Sequence, residues 1–226
     1  MFKSRFRAVA TPLSKGKARV TLLFVTVGLV SATVALVPIG CGGSGNSSSS
    51  VGLPNGKATP AQVAQGRYLV VGSGCGDCHS NGGNNPSAAN WLTGYHAGDT
   101  AGIFQLGPGT VVHAANITPD VGTGLGSFSD QTIFNVLRFG FDPASPAGGP
   151  QAYVAPVMPW ASFRHKTDAE LWAIVAYIKH GAGAVANAVD ANTGVPPDNW
   201  AAASSEVAVG PATPPAFPAG NEKFAP

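Results

Sequence analysis

Methionine and cysteine are both rare in this chain: two and three residues among 226, the methionines being Met1 and Met158. Charge is sparse too, at 11% of residues, and no acidic residue occurs in the first 40 positions. No second pair of Cys or His stands at the short spacing a zinc site requires. No basic patch with interleaved aromatics marks a nucleic-acid surface, so nucleic acid is not an expected partner. There is no internal repeat, no phosphate-binding glycine loop, and no Ser/His/Asp or paired-acid arrangement that asks for a separate catalytic site. Glycine and proline, by contrast, supply 30 and 19 residues, which implies a loop-rich protein without the bias of a disordered low-complexity chain.

The formal charge of +2 is unevenly spread. Lys3, Arg5, Arg7, Lys15, Lys17 and Arg19 precede an uncharged run from Val20 to Gly40; beyond it seven basic residues face all 11 acidic ones, a net of −4. That run is about the length a helix needs to cross a bilayer, and longer than a usual signal-peptide core. The positive lead holds its own end in the cytoplasm and turns everything after the run outward. Residues 1–40 therefore read as an export signal or a membrane anchor. Cys41 follows Ile39-Gly40 and precedes Gly42-Gly43-Ser44-Gly45-Asn46 and four serines, which resembles a lipid-modified cysteine at the head of a flexible tether over 41–55. Pro38 departs from that motif, which prefers leucine there; the alternative is an uncleaved anchor helix. Both arrangements tether the remainder to a membrane.

The densest chemistry is Cys75-Gly76-Asp77-Cys78-His79. Two thiols and an imidazole at this spacing suit covalent attachment of a c-type haem: the thiols add across two vinyl groups while the histidine ligates iron from one face. A redox-active thiol pair is the alternative, but it opens a helix within a βαβ pattern that is absent here. One motif implies one haem. With two cysteines so used, Cys41 is left alone and no structural disulfide is possible.

Around this motif the pattern is helical and loop-rich. Thr59 and Pro60 open a first helix through Val71, broken by Gly72 to Gly74. Residues 80–128 carry Gly-Gly, Asn-Pro and Gly-Pro steps and read as mostly loop. Ser129 caps a second helix that ends at Phe139 before Gly140. Residues 141–160 return to loop, ending in Val157-Met158-Pro159-Trp160. Thr167 and Glu170 form a capping box, and Leu171, Ile174, Val175 and Ile178 give the best apolar helical period, closed by Gly181. The domain is thus expected over 56–182, with 183–226 as an Ala/Pro-rich extension in which Trp200, Phe217 and Phe224 can lie against the body. Tyr68 and Trp172 are expected in the core.

A six-coordinate haem needs a second ligand on the opposite face. Met158 is the one methionine beyond the export segment, and its thioether favours ferrous iron and a raised potential, as an electron carrier requires. Pro159 fixes the chain beside it. His96, His113, His165 and His180 are the rivals, read as surface or loop histidines.

Several stretches, in order, resemble class I c-type cytochromes, and more closely the cytochrome domains that accompany periplasmic alcohol and sugar dehydrogenases. They are Gly66-Arg67-Tyr68-Leu69, Cys75 to His79, Asn116-Ile117-Thr118-Pro119-Asp120 with Gly122 to Gly126, and Phe128-Ser129-Asp130. Leu137-Arg138-Phe139-Gly140, Met158-Pro159-Trp160 and Asp168 to Ile178 complete the set. The resemblance implies an all-α fold whose first and last helices cross beside the haem, with Gly66 and Tyr177 as candidates for that crossing. It implies Cys75 and Cys78 as thioether links, His79 as proximal ligand, Met158 as distal ligand, and attachment of haem outside the cytoplasm. Such relatives often carry three domains of this kind in one chain; here there is one motif. The Asn116 to Asp120 segment is expected either to shape the haem pocket or to be a simple turn, and Trp160 and Arg67 either to donate to propionates or to pack and be solvated.

The expected function is one-electron transfer outside the cytoplasm, from a dehydrogenase or cytochrome to an oxidase or cytochrome, without substrate chemistry. The alternatives are a haem enzyme or ligand sensor with an open or displaceable sixth position, and a cytochrome subunit docking a dehydrogenase to the membrane.

Overall fold

The structure, a computed structural model, describes residues 57–145 and 149–210. The basic lead, the apolar run, Cys41 with its whole tether, Phe217 and Phe224 lie outside the described residues. Among the described residues, no helix is long and apolar enough to cross a membrane.

Helix α1 spans Pro60–Gly72. Thr59 accepts the Gln62 backbone N–H and the Gln62 side chain accepts that of Thr59, so two of the helix's otherwise free donors are satisfied reciprocally. One turn, α2 (Cys75–His79), follows directly. Helix α3 (Asp130–Phe139) starts at Ser129, whose hydroxyl accepts from Thr132 N–H, and stops at Gly140, whose φ of 71° few side chains tolerate. A Cβ there would also strike the Trp160 indole at 2.3 Å, so the same glycine ends α3 and seats the single-turn helix α4 (Trp160–Phe163). Helix α5 (Asp168–His180) begins at the Thr167–Glu170 capping box, and α6 (Glu206–Val209) is one turn near the end of the described chain.

Helix α5 is the centre of the fold, with Leu171, Ala173, Ile174, Val175, Ala176, Tyr177 and Ile178 all buried. Helix α1 crosses it at Gly66, where a Cβ would lie 1.8 Å from the Ala173 carbonyl oxygen and 2.7 Å from Tyr177 Cβ. Val70, Leu92, Ile133, Phe134 and Leu137 close the core around this crossing, and Trp172 stacks on Phe134 at 4.5 Å between ring centres. Tyr68, expected in the core, is 77% exposed. Gly66 and Val70, one helical turn apart, are the buried face of α1, and a residue midway between them points away from it.

The second departure from expectation is a strand pair within the stretch read as loop. β1 (Ile103–Gly107) and β2 (Thr110–His113) form an antiparallel hairpin, with Ile103 opposite His113. Among the described residues the regular structure is mostly helix, but it includes this small sheet, so the all-α expectation is met only in part.

Buried polar groups tie the loops to the helices. Arg138 on α3 donates to the carbonyls of Arg164 and Lys166 and to the Asp168 carboxylate, joining α3 to the start of α5. Lys179 on α5 donates to Leu125, Gly126 and Phe128 carbonyls at 2.7, 3.0 and 2.6 Å. Beyond α5 the chain has no periodic pattern, yet the Asn187 side chain donates to Thr93 and Tyr95 carbonyls at 2.8 and 2.9 Å, and Thr193 bridges to Val111.

Candidate haem-binding site

Gly74, in the left-handed conformation, turns the chain out of α1 and into α2, so Cys75 and Cys78 stand three residues apart on one helical face. Both thiols, His79 and Met158 line one cavity of about 480 Å³. Its walls are largely apolar: Phe104 and Val112 come from the hairpin, Ile133 and Leu137 from α3, Phe163 from α4, Ile174 and Ile178 from α5.

Burial pushes the Cys75 thiol up to about 11. Cys78 is also raised, by burial first and by the Asp77 carboxylate beside it. Redox-active thiol pairs depend on a lowered thiol pKa, so this environment is the reverse of what they need. Among the described residues, no three His, Cys, Asp or Glu side chains gather in a way that would hold a bare metal ion.

His79 sits in the opposite electrostatic situation, its pKa lowered by burial, which keeps the imidazole neutral and ligating. Its Nδ1 lies 2.7 Å from the Ala115 carbonyl oxygen. A carbonyl only accepts, so Nδ1 carries the proton and the Nε2 lone pair is left free for a metal.

Met158 comes from the loop before α4. Its N–H donates to the Ala155 carbonyl at 2.9 Å and its own carbonyl accepts from Trp160 N–H at 2.8 Å, so a tight turn containing Pro159 sets where the thioether enters the cavity. Its side chain also packs on the core cluster that includes Ile174 and Ile178.

The rival histidines separate. His165 is exposed and outside the cavity. His180 Nε2 pairs with Asp130 at 3.0 Å, and His96 Nε2 with the Thr93 hydroxyl at 2.8 Å. His113 differs from the expectation of a surface or loop histidine: it ends β2 and lines the cavity. Sequence reasoning missed this because the hairpin that places it was itself missed.

The Asn116 to Asp120 segment is both a pocket wall and a turn. Asn116 and Ile117 line the cavity. The Asn116 amide oxygen accepts from Thr118 N–H and hydroxyl at 3.0 and 2.7 Å, and Asp120 accepts from Gly122 and Thr123 N–H groups at 3.1 and 2.7 Å. Neither Arg67, exposed on α1, nor Trp160, buried against Gly140 and Arg164, lines the cavity.

The two thiols, the imidazole freed at Nε2, the Met158 thioether on the same cavity and the apolar walls fit a covalently attached haem c. No family model matches the chain. It is similar to the cytochrome c subunit of gluconate 2-dehydrogenase from Pantoea cypripedii, 31% identical over 140 residues, 62% of this chain and 28% of that protein. It is similar to the fructose dehydrogenase cytochrome subunit of Gluconobacter japonicus, 28% identical over 116 residues, 51% of this chain and 20% of the relative. A third relative is the cytochrome c subunit of the quinone alcohol dehydrogenase of Gluconobacter oxydans, 28% identical over 130 residues, 57% of this chain and 23% of the relative. The chain thus matches less than a third of the length of each. The resemblance to dehydrogenase cytochrome c subunits read from the sequence is shown by these similarities.

Proposed function

We propose that this protein is a class I cytochrome c that holds one haem c through thioether bonds from Cys75 and Cys78, with His79 and Met158 as axial ligands. It carries single electrons outside the cytoplasm, tethered to a membrane through residues 1–40 or a lipid on Cys41. The bound haem supplies a ferric/ferrous couple and hence one-electron chemistry without a separate substrate site.

The observation that carries this reading is the 2.7 Å contact from His79 Nδ1 to the Ala115 carbonyl, made on the wall of a cavity that both thiols and Met158 share. That contact fixes the tautomer and the ring plane, and raises the basicity of Nε2. Cys75 and Cys78 hold the ring edge beside α2. Met158 offers a soft, neutral donor that raises the potential relative to a second imidazole. Ile133, Leu137, Ile174 and Ile178 exclude water, so less reorganisation accompanies each change of charge.

A dehydrogenase is the electron donor on this reading, supported by the similarity to dehydrogenase cytochrome subunits. The acceptor is an oxidase or another cytochrome. The test is production of the full chain in cells that export and attach haem c. Denatured protein should retain haem at one per chain, and Cys75→Ala/Cys78→Ala should lose it. Wild-type protein that releases its haem on denaturation, or never acquires it, overturns the reading.

A further inference from the structure

Two histidines line the cavity, and their Nδ1 environments are opposite. His79 Nδ1 meets the Ala115 carbonyl. His113 Nδ1 is buried with no hydrogen-bond partner among the described residues. A neutral imidazole carries one proton, and placing it on a buried nitrogen with no acceptor leaves a buried donor unsatisfied. The proton of His113 therefore belongs on Nε2, the ring nitrogen that is neither buried unpaired nor hydrogen-bonded among the described residues. His79 thus offers a lone pair at its free ring nitrogen, and His113 offers an N–H.

The surroundings hold this ring in place. The His113 backbone N–H donates to the Asn192 side chain at 2.9 Å, and the ring lies 4.7 Å from that of Tyr95 between centres. His113 also lines a more open cleft of about 410 Å³ with Ala115, Asn116, Asp190 and Asn192, which adjoins the cavity through shared walls. The apolar ring of a haem belongs in the cavity, and its carboxylates belong where polar side chains and water meet. That is the border His113 occupies.

We propose that His113 donates its Nε2–H to a propionate carboxylate of the haem, orienting that edge of the ring and setting part of its potential. This rests on the haem reading above. A donor on a propionate disperses negative charge near the iron, so removing it stabilises the ferric form and lowers the midpoint potential.

The experiment compares full-length wild type, His113→Gln and His113→Leu, each first shown to carry covalent haem. Loss of haem from wild type itself would be a failure of the haem reading and not of this one. Redox titration should show a lower midpoint for His113→Leu and a value near wild type for His113→Gln, whose amide can still donate. Equal midpoints in all three, or a five-coordinate spectrum in His113→Leu, which would make His113 an axial ligand, overturns the proposal. A second measurement needs no variant: the ¹⁵N shifts of the histidine rings in wild type should report the Nε2–H form for His113. The Nδ1–H form would contradict it.

Discussion

Trp91 donates its indole N–H to the Tyr177 hydroxyl at 2.9 Å, inside the protein, with the two residues 86 positions apart. The bond links the loop after the haem motif to the face of α5 on which α1 lies. Tyr177→Phe leaves that indole N–H buried without an acceptor. The expected loss is about 1–3 kcal/mol, the penalty for an unpaired buried donor, read by urea unfolding of the variant against wild type.

Gly66 is the contact point of α1 and α5. Because a Cβ there would fall 1.8 Å from a backbone oxygen, relief requires the helices to separate. Gly66→Ala is expected to destabilise by at least about 1–3 kcal/mol, as overpacking does, despite alanine's better helix propensity. Gly72, with open space around its missing Cβ, is the control: Gly72→Ala should be close to neutral.

These two positions also show what the sequence made readable and why. Gly66 and Tyr177, the capping residues Thr59, Ser129 and Thr167, and the stop at Gly140 are local or family-borne signals, and each is found where expected. The hairpin is not legible because each strand is only four or five residues long and one is largely exposed, so neither alternation nor an apolar run marks it. The anchoring of the stretch after α5 is hidden for another reason. It depends on single long-range bonds, such as Asn187 to Thr93, which leave no periodic trace. Tyr68 shows the limit of residue type as a guide: its position on the helix, two residues from the crossing glycine, decides its exposure.

Arg138 and Asp168 are unequal partners. The arginine side chain is 9% exposed and the aspartate 61%. Asp168→Asn is expected to remove about 0–1 kcal/mol, as for other exposed ion pairs. Arg138→Gln leaves the Arg164 and Lys166 carbonyls short of their charged donor and is expected to remove about 2–3 kcal/mol. Thermal unfolding of the two variants should place them in that order; equal losses would mean the ion pair, not the carbonyl bonds, holds α3 to α5.

Glu170 gives a pH dependence whose sign is fixed. Its carboxylate accepts from the Thr167 N–H at 2.8 Å and from the Thr167 hydroxyl at 2.9 Å, and the backbone bond chiefly holds its pKa below the usual 4.5. The unfolded chain takes up this proton first as pH falls, so the stabilisation is complete above the unfolded pKa and is lost as pH drops through the folded value. The stability difference between wild type and Glu170→Gln should therefore shrink between about pH 5 and pH 3. A difference independent of pH would show that the carboxylate charge plays no part in the cap.

On the proposed function, His79 and Met158 hold the same iron from opposite faces. The direct measurement is an optical spectrum of the exported protein, ferric and ferrous, repeated with carbon monoxide and with Met158→Ala. A low-spin haem with a far-red sulfur-to-iron band that disappears in Met158→Ala is expected, with no ready carbon monoxide binding by the wild type. A high-spin ferrous haem that takes up carbon monoxide at once would contradict it and make this an open, ligand-binding iron site.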